Sequence, residues 1–253
     1  MNKKYEHVKS DIILIISFMT LLFTLCLVLY TDTFLRDTPM DVETKVELKG
    51  GKNTSSDELQ SLIPYQDSQN KKYITAYQDK KTMISDVHNS VILSIAYSKL
   101  SFSEFSGKNL LKQINYLYGE DIFVVNDSFA VNDRYICSYN NDKDVYTCSK
   151  VLYNDTIYKA KRKVTNISIS SNQSATLSED IIFYSVDKEN ENGNVTVRVY
   201  ADGLYNKQIA KFVKNDTENV DDYLNNEEFI RKYKSIFKLI DDHYVWESTD
   251  LEK

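Results

Sequence analysis

The chain has 253 residues, a formal net charge of −6 and 27% charged residues. Its acidic balance disfavours nucleic acids and anionic surfaces as partners. With only six glycines it holds no phosphate-cradling glycine loop.

The first element is Ile12–Tyr30, nineteen residues without a charge, interrupted by Ser17, Thr20 and Thr24. At 1.5 Å per residue it covers the roughly 30 Å hydrocarbon core of a bilayer, and it predicts a single transmembrane anchor helix. Lys3, Lys4 and Lys9 precede it, whereas Asp32, Asp37, Asp41 and Glu43 follow, against Arg36 and Lys45. Lysine excess marks the cytoplasmic side, so residues 1–11 read as a cytoplasmic tail and the remainder as extracellular. A cleaved signal peptide would have a shorter apolar region and a small-residue site, which LCLVLYTDTF does not offer. Cys26 follows Phe23-Thr24-Leu25 and lacks the small residues that precede a lipoprotein cysteine.

Residues 31–55, with Pro39, Gly50-Gly51 and the polar KNTSS, read as a stalk, and 56–253 as one outer domain. Ser55 and Glu58 have capping-box spacing before Leu59 and Leu62, and Pro64 ends that short helix. Ile84, Val87, Val91 and Ile95 recur at three and four, predicting a helix over 83–100. Ser101 and Glu104 offer a second cap before Leu110, Ile114 and Leu117, predicting a helix near 108–118 that Gly119 terminates.

Beyond Asp121 the period falls to two. Runs at 122–125, 134–140, 145–152, 156–170, 181–186 and 195–201 read as strands, with DKENENGN as a hairpin loop. The acidic stretch 214–228 reads as an exposed excursion with a short helix around 222–232. Folding SIFKLIDDHYVWES about Asp241-Asp242 pairs Leu239 with Tyr244 and Phe237 with Trp246. Helices followed by antiparallel strands predict an α+β fold, a curved sheet with helices on one face.

Cys137 and Cys148 flank SYNNDKDVYT. A hairpin closing between Asp142 and Lys143 sets them opposite one another, with Tyr139 opposite Tyr146. Outside the cell such a pair is a disulfide, contributing roughly 2–3 kcal/mol in the loop-entropy account. No metal site is expected: the histidines are His7, His88 and His243, and two cysteines are spoken for. Asn140, Asp142 and Asp144 alternate like the start of an EF-hand loop, but Val145 and Val151 stand where glycine and glutamate belong. No catalytic motif and no cofactor motif is present in the sequence. Seven N-x-S/T triplets, at Asn53, Asn126, Asn154, Asn166, Asn172, Asn194 and Asn215, compare with roughly three or four expected by composition.

This layout, a short tail, one anchor and an outer α+β domain, resembles bitopic envelope proteins with NTF2-like or cystatin-like outer domains, such as an assembly component of type IV secretion channels. The similarity covers element order and carries over no residues. The anchor, the stalk and the missing catalytic motifs point to a non-enzymatic role, binding a protein partner or scaffolding an envelope assembly. The other reading is an enzyme or small-ligand domain with its site in the concave sheet face.

Overall fold

The computed structural model describes residues 49–252, apart from 72, 74, 101–103, 120–121, 123, 132–134, 151–155, 171–172, 188–193 and 216–219. The chain divides into residues 1–45 and 46–253, and everything described belongs to the second unit. The expected anchor at 12–30 lies outside the described residues. Among those described, no helix is long and apolar enough to cross a membrane.

The order of elements is α1 (Ser56–Leu62), β1 (Thr82–Met83), a 3₁₀ turn (Ile84–Asp86), α2 (Asn89–Lys99), β2 (Glu104–Ser106), α3 (Gly107–Tyr118), β3 (Phe129–Val131), β4 (Tyr135–Asn140), β5 (Val145–Lys150), β6 (Ile157–Ile169), β7 (Ser174–Val186), β8 (Asn194–Tyr200), β9 (Gln208–Asn215), α4 (Val220–Leu224), a 3₁₀ turn (Glu227–Phe229), β10 (Arg231–Ile240) and β11 (His243–Leu251). The class is α+β, and every strand pair is antiparallel.

The expectation of a single curved sheet is corrected: the strands form two. A seven-stranded sheet runs β1-β11-β10-β7-β8-β9, with β6 also on β7, and a four-stranded sheet runs β2-β5-β4-β3. The larger sheet branches at β7. One edge of β7 pairs with β6 from Ala175 to Val186, while the other is shared by β10 at residues 174–181 and β8 at 183–186. Side chains alternate along β7, so Ala175, Leu177, Glu179, Ile181, Phe183 and Ser185 all point inward and are buried.

The predicted helix over 83–100 begins later, at Asn89, because His88 takes the N-cap position and its Nδ1 accepts from the Ser90 N–H at 3.2 Å. The helix is buried well beyond one stripe. Val91, Ile92, Leu93 and Ala96 are all inside, since α2 packs against both α3 and β3. The cap of α3 is Ser106, 3.1 Å from Asn109 N, and not Ser101, while Glu104 falls in β2. Gly119 ends α3 with φ +101°, as its position suggested.

Ser55 Oγ caps α1 through Glu58 N, but the Glu58 carboxylate accepts from Gly51 N, so no capping box forms. Four strands, β1, β2, β3 and β9, lie where none was expected, whereas residues 122, 124 and 125 of the run expected as the first strand are not in one. The helix expected around 222–232 is α4 followed by a 3₁₀ turn, and β10 already begins at Arg231. Leu239 and Phe237 stand opposite Tyr244 and Trp246 in the final hairpin.

Candidate functional site

The inner face of the larger sheet is where a ligand site would sit, and it holds a concentration of ionisable side chains. Glu179, 1% exposed, lies in the middle of it. Its Oε1 accepts from Gln60 Nε2 at 2.7 Å and from Arg162 Nε at 3.2 Å, and its Oε2 accepts from the Tyr77 hydroxyl at 2.7 Å. Arg162 also donates from Nη2 to the Gln60 carbonyl at 3.0 Å, and its guanidinium lies over the rings of Tyr77 and Tyr65, 5.2 and 5.5 Å from their centroids. Two strands and α1 with its trailing segment are thus joined through one charged group.

The electrostatics of this cluster follow from burial. Desolvation pushes the Tyr77 and Tyr65 hydroxyls well above the ordinary tyrosine range; Arg162 opposes this at Tyr77 and Glu179 reinforces it. Burial alone would weaken the Arg162 cation, but Tyr77 and Glu179 outweigh it and its pKa is raised. The tyrosines stay neutral donors and the arginine stays charged.

Aromatic rings fill the space around the ion pair. Tyr77 packs edge-on to Tyr233 at 5.2 Å, Phe183 packs against Tyr233 and Tyr205, and Tyr205 meets Tyr158 and Tyr200. Gly203 closes one side. A Cβ built there would lie 1.9 Å from the Tyr77 carbonyl oxygen, so the loop can seat against Tyr77 only because residue 203 lacks a side chain. Asp202 fixes that loop by accepting from Leu204 N, Asn206 N and Lys207 N. Around Glu179 the inner face of the sheet is packed with the chain's own side chains.

The expected cysteine pair stands as its spacing suggests. Cys137 is opposite Cys148 and Tyr139 opposite Tyr146 in the β4–β5 hairpin, with the sulfurs 2.03 Å apart. Asn140 Oδ1 accepts from Asp142 N and Lys143 N at the turn. The hairpin tip also meets α3: Asp144 accepts from Lys108 N at Oδ2, from Gly107 N at its carbonyl and from the Tyr139 hydroxyl at Oδ1. A Cβ on Gly107 would fall 2.4 Å from Asp144 Oδ1. The carboxylate at the α3 N-terminus therefore acts as a structural cap. Asn126, one of the seven triplet asparagines, accepts from the Tyr146 hydroxyl and donates to the Tyr139 hydroxyl, so its amide is committed to the fold. Asn154 and Asn172 lie outside the described residues.

His88 stacks on Tyr73 at 4.4 Å, and His243 stacks on Tyr116 at 3.9 Å with its Nε2 2.8 Å from the Tyr116 carbonyl. Lys99 Nζ donates to Ser61 Oγ at 2.6 Å, and desolvation lowers its pKa against the pull of Glu58. The Ser61 hydroxyl in turn donates to the Glu58 carbonyl at 2.6 Å, which turns its proton away from the lysine and makes the pair a tie between α1 and α2.

No family model, no curated protein and no solved structure matches this chain.

The Arg162–Glu179 cluster escaped sequence reading because its members come from four separate segments. The one available signal was Glu179 itself, at an inward position of a strand otherwise alternating Ala175, Leu177 and Ile181.

Proposed function

We propose that this chain is a single-pass membrane protein, N-terminus cytoplasmic, whose outer α+β domain binds a protein partner or scaffolds a cell-envelope assembly. The charge-free run Ile12–Tyr30 and the lysines before it support the placement. One observation carries the role. Both Glu179 carboxylate oxygens are taken by Gln60, Arg162 and Tyr77, and aromatic rings pack around them. A ligand site keeps convergent polar groups unspent and facing a cavity. We therefore place the function on the outer surfaces. The order of helices followed by antiparallel strands also keeps the resemblance to NTF2-like and cystatin-like envelope domains, as analogy.

The test is affinity capture of the full-length chain from crosslinked membranes, run beside a thermal-shift screen of metabolites on the same preparation. A recurrent protein partner and no stabilising metabolite is the expected result. Saturable stabilisation by a small molecule, with no partner recovered, contradicts the reading.

A further inference from the structure

β6 forms one margin of the larger sheet. Its inner edge is paired with β7 over Ile157–Ile169, and among the described residues its other edge meets the chain at Ser68. There Tyr158 N donates to Ser68 O at 2.7 Å and Ser68 N to Tyr158 O at 3.0 Å, so the backbone groups of Tyr158 face away from β7. Antiparallel alternation turns those of Arg162 and Val164 the same way. A bulge between Val164 and Asn166 shifts the phase by one residue. Beyond it Ser170 N donates to Ser174 O across the ladder, which leaves Ile167 and Ile169 outward. Among the described residues none of these four has a backbone partner on that side.

The side chains sort by the same period. Tyr158, Ala160, Val164 and Ile167 lie against the core, while Lys159, Lys161 and Lys163 share the opposite face. Lys159 and Lys161 pair with Asp67 and Asp221, and Lys163 is exposed with no acidic partner within ion-pair distance among the described residues. Edge lysines and bulges commonly protect an exposed strand from indiscriminate pairing. Here those devices end at Asn166. The run beyond them is uncharged and ends at Ile169, 58% exposed.

We propose that the β6 edge from Arg162 to Ile169 is the docking site for an extended, acidic segment of a partner protein, added as a further strand. This inference rests on the partner-binding reading above and names its surface. The added strand pairs with the outward N–H and C=O groups of Arg162, Val164, Ile167 and Ile169. It sets a carboxylate beside Lys163 on one face and apolar residues beside Val164, Ile167 and Ile169 on the other. A second copy of this chain fits poorly, because β6–β6 pairing places two lysine rows on the same face of one sheet.

The experiment titrates the full-length chain with the peptides Ac-TEVEVEVT-NH2 and Ac-TKVKVKVT-NH2 while following amide hydrogen exchange. The acidic peptide should slow exchange at Arg162, Val164, Ile167 and Ile169 at least tenfold and bind at least tenfold tighter than the basic one. Lys163→Glu should reverse that preference. Ile167→Pro removes an outward donor and no β6–β7 bond, so it should lose the protection that Ile167→Ala, which gives up the same core contact but keeps the donor, retains. Unchanged exchange with either peptide, or equal protection by both, overturns the proposal. So does slow exchange without peptide that speeds up on dilution, which assigns the edge to self-association. A partner that crosslinks to another surface while the peptides do nothing refutes this edge and spares the partner-binding reading. Peptide protection with no partner recoverable from membranes does the reverse.

Discussion

Arg162 on β6 and Glu179 on β7 are diagonal neighbours. Arg162 stands opposite Ile181 and Glu179 opposite Val164, so the two side chains meet across one register step on the buried face, Nη2 to Oε1 at 3.2 Å. Removing one member leaves the other's polar or charged group inside without its partner, which costs about 3–5 kcal/mol. Replacing both with apolar residues of similar size often costs little. Arg162→Ala should therefore lower unfolding stability by several kcal/mol, whereas the double variant Arg162→Met with Glu179→Met should stay within about 2 kcal/mol of the parent. Urea titration with paired m-values decides between them. A single variant as stable as the parent would show that the pair does not hold the sheet to α1.

Tyr233 is fully buried against Tyr77 and Phe183, and its hydroxyl has no hydrogen-bond partner among the described residues. An unpaired buried polar group costs about 1–3 kcal/mol. Tyr233→Phe keeps the ring and deletes that cost, so the melting temperature should rise. A fall on calorimetry would mean the hydroxyl has a partner after all.

His88 links pH to stability. Desolvation holds its pKa below the ordinary 6.5, with Asp127 opposing, and its unprotonated Nδ1 accepts the first-turn bond of α2. The folded chain binds fewer protons at this site than the unfolded chain. Its contribution is therefore complete above pH 6.5 and is lost as pH falls through the depressed value. His88→Asn keeps a capping acceptor and removes the titration. Between pH 7.5 and 5, the parent's denaturation midpoint should fall relative to that of the variant. Parallel curves would dismiss His88 as a contributor.

Cys137 and Cys148 close an eleven-residue separation in the hairpin whose tip caps α3. Peptide mapping without reductant should recover the two cysteines as one linked species. The double Cys→Ser variant should lose roughly 2–3 kcal/mol, and amides of the first turn of α3 should exchange faster. Free thiols in protein isolated from intact cells would contradict both the link and the extracellular placement.

These results show which parts of the fold local chemistry makes legible. The final hairpin, the opposed cysteines and α3 were readable because each depends on residues close in sequence: a two-residue turn, a symmetric spacing, an apolar repeat closed by glycine. Strand β7 was half visible. Its first part, Ser174–Asp180, places Ser178 and Asp180 outward and Glu179 inward, so no continuous apolar alternation announces it. Strand β9 was missed because Lys211 and Lys214 interrupt its pattern and its burial comes from α4 and Phe229 across the sheet. The division into two sheets was illegible for a similar reason: strand partners are chosen by long-range packing, such as that of α2 against both α3 and β3.

We propose that the domain faces the outside and works through its surface, the inner sheet face around Glu179 being packed with its own side chains. The most direct test applies a membrane-impermeant lysine crosslinker to intact cells and maps the products by mass spectrometry. We expect crosslinks from lysines within residues 56–253, Lys163 among them, to one recurrent protein. Modification of these lysines only after lysis, or a chain that stays monomeric and uncrosslinked on intact cells, would contradict the account.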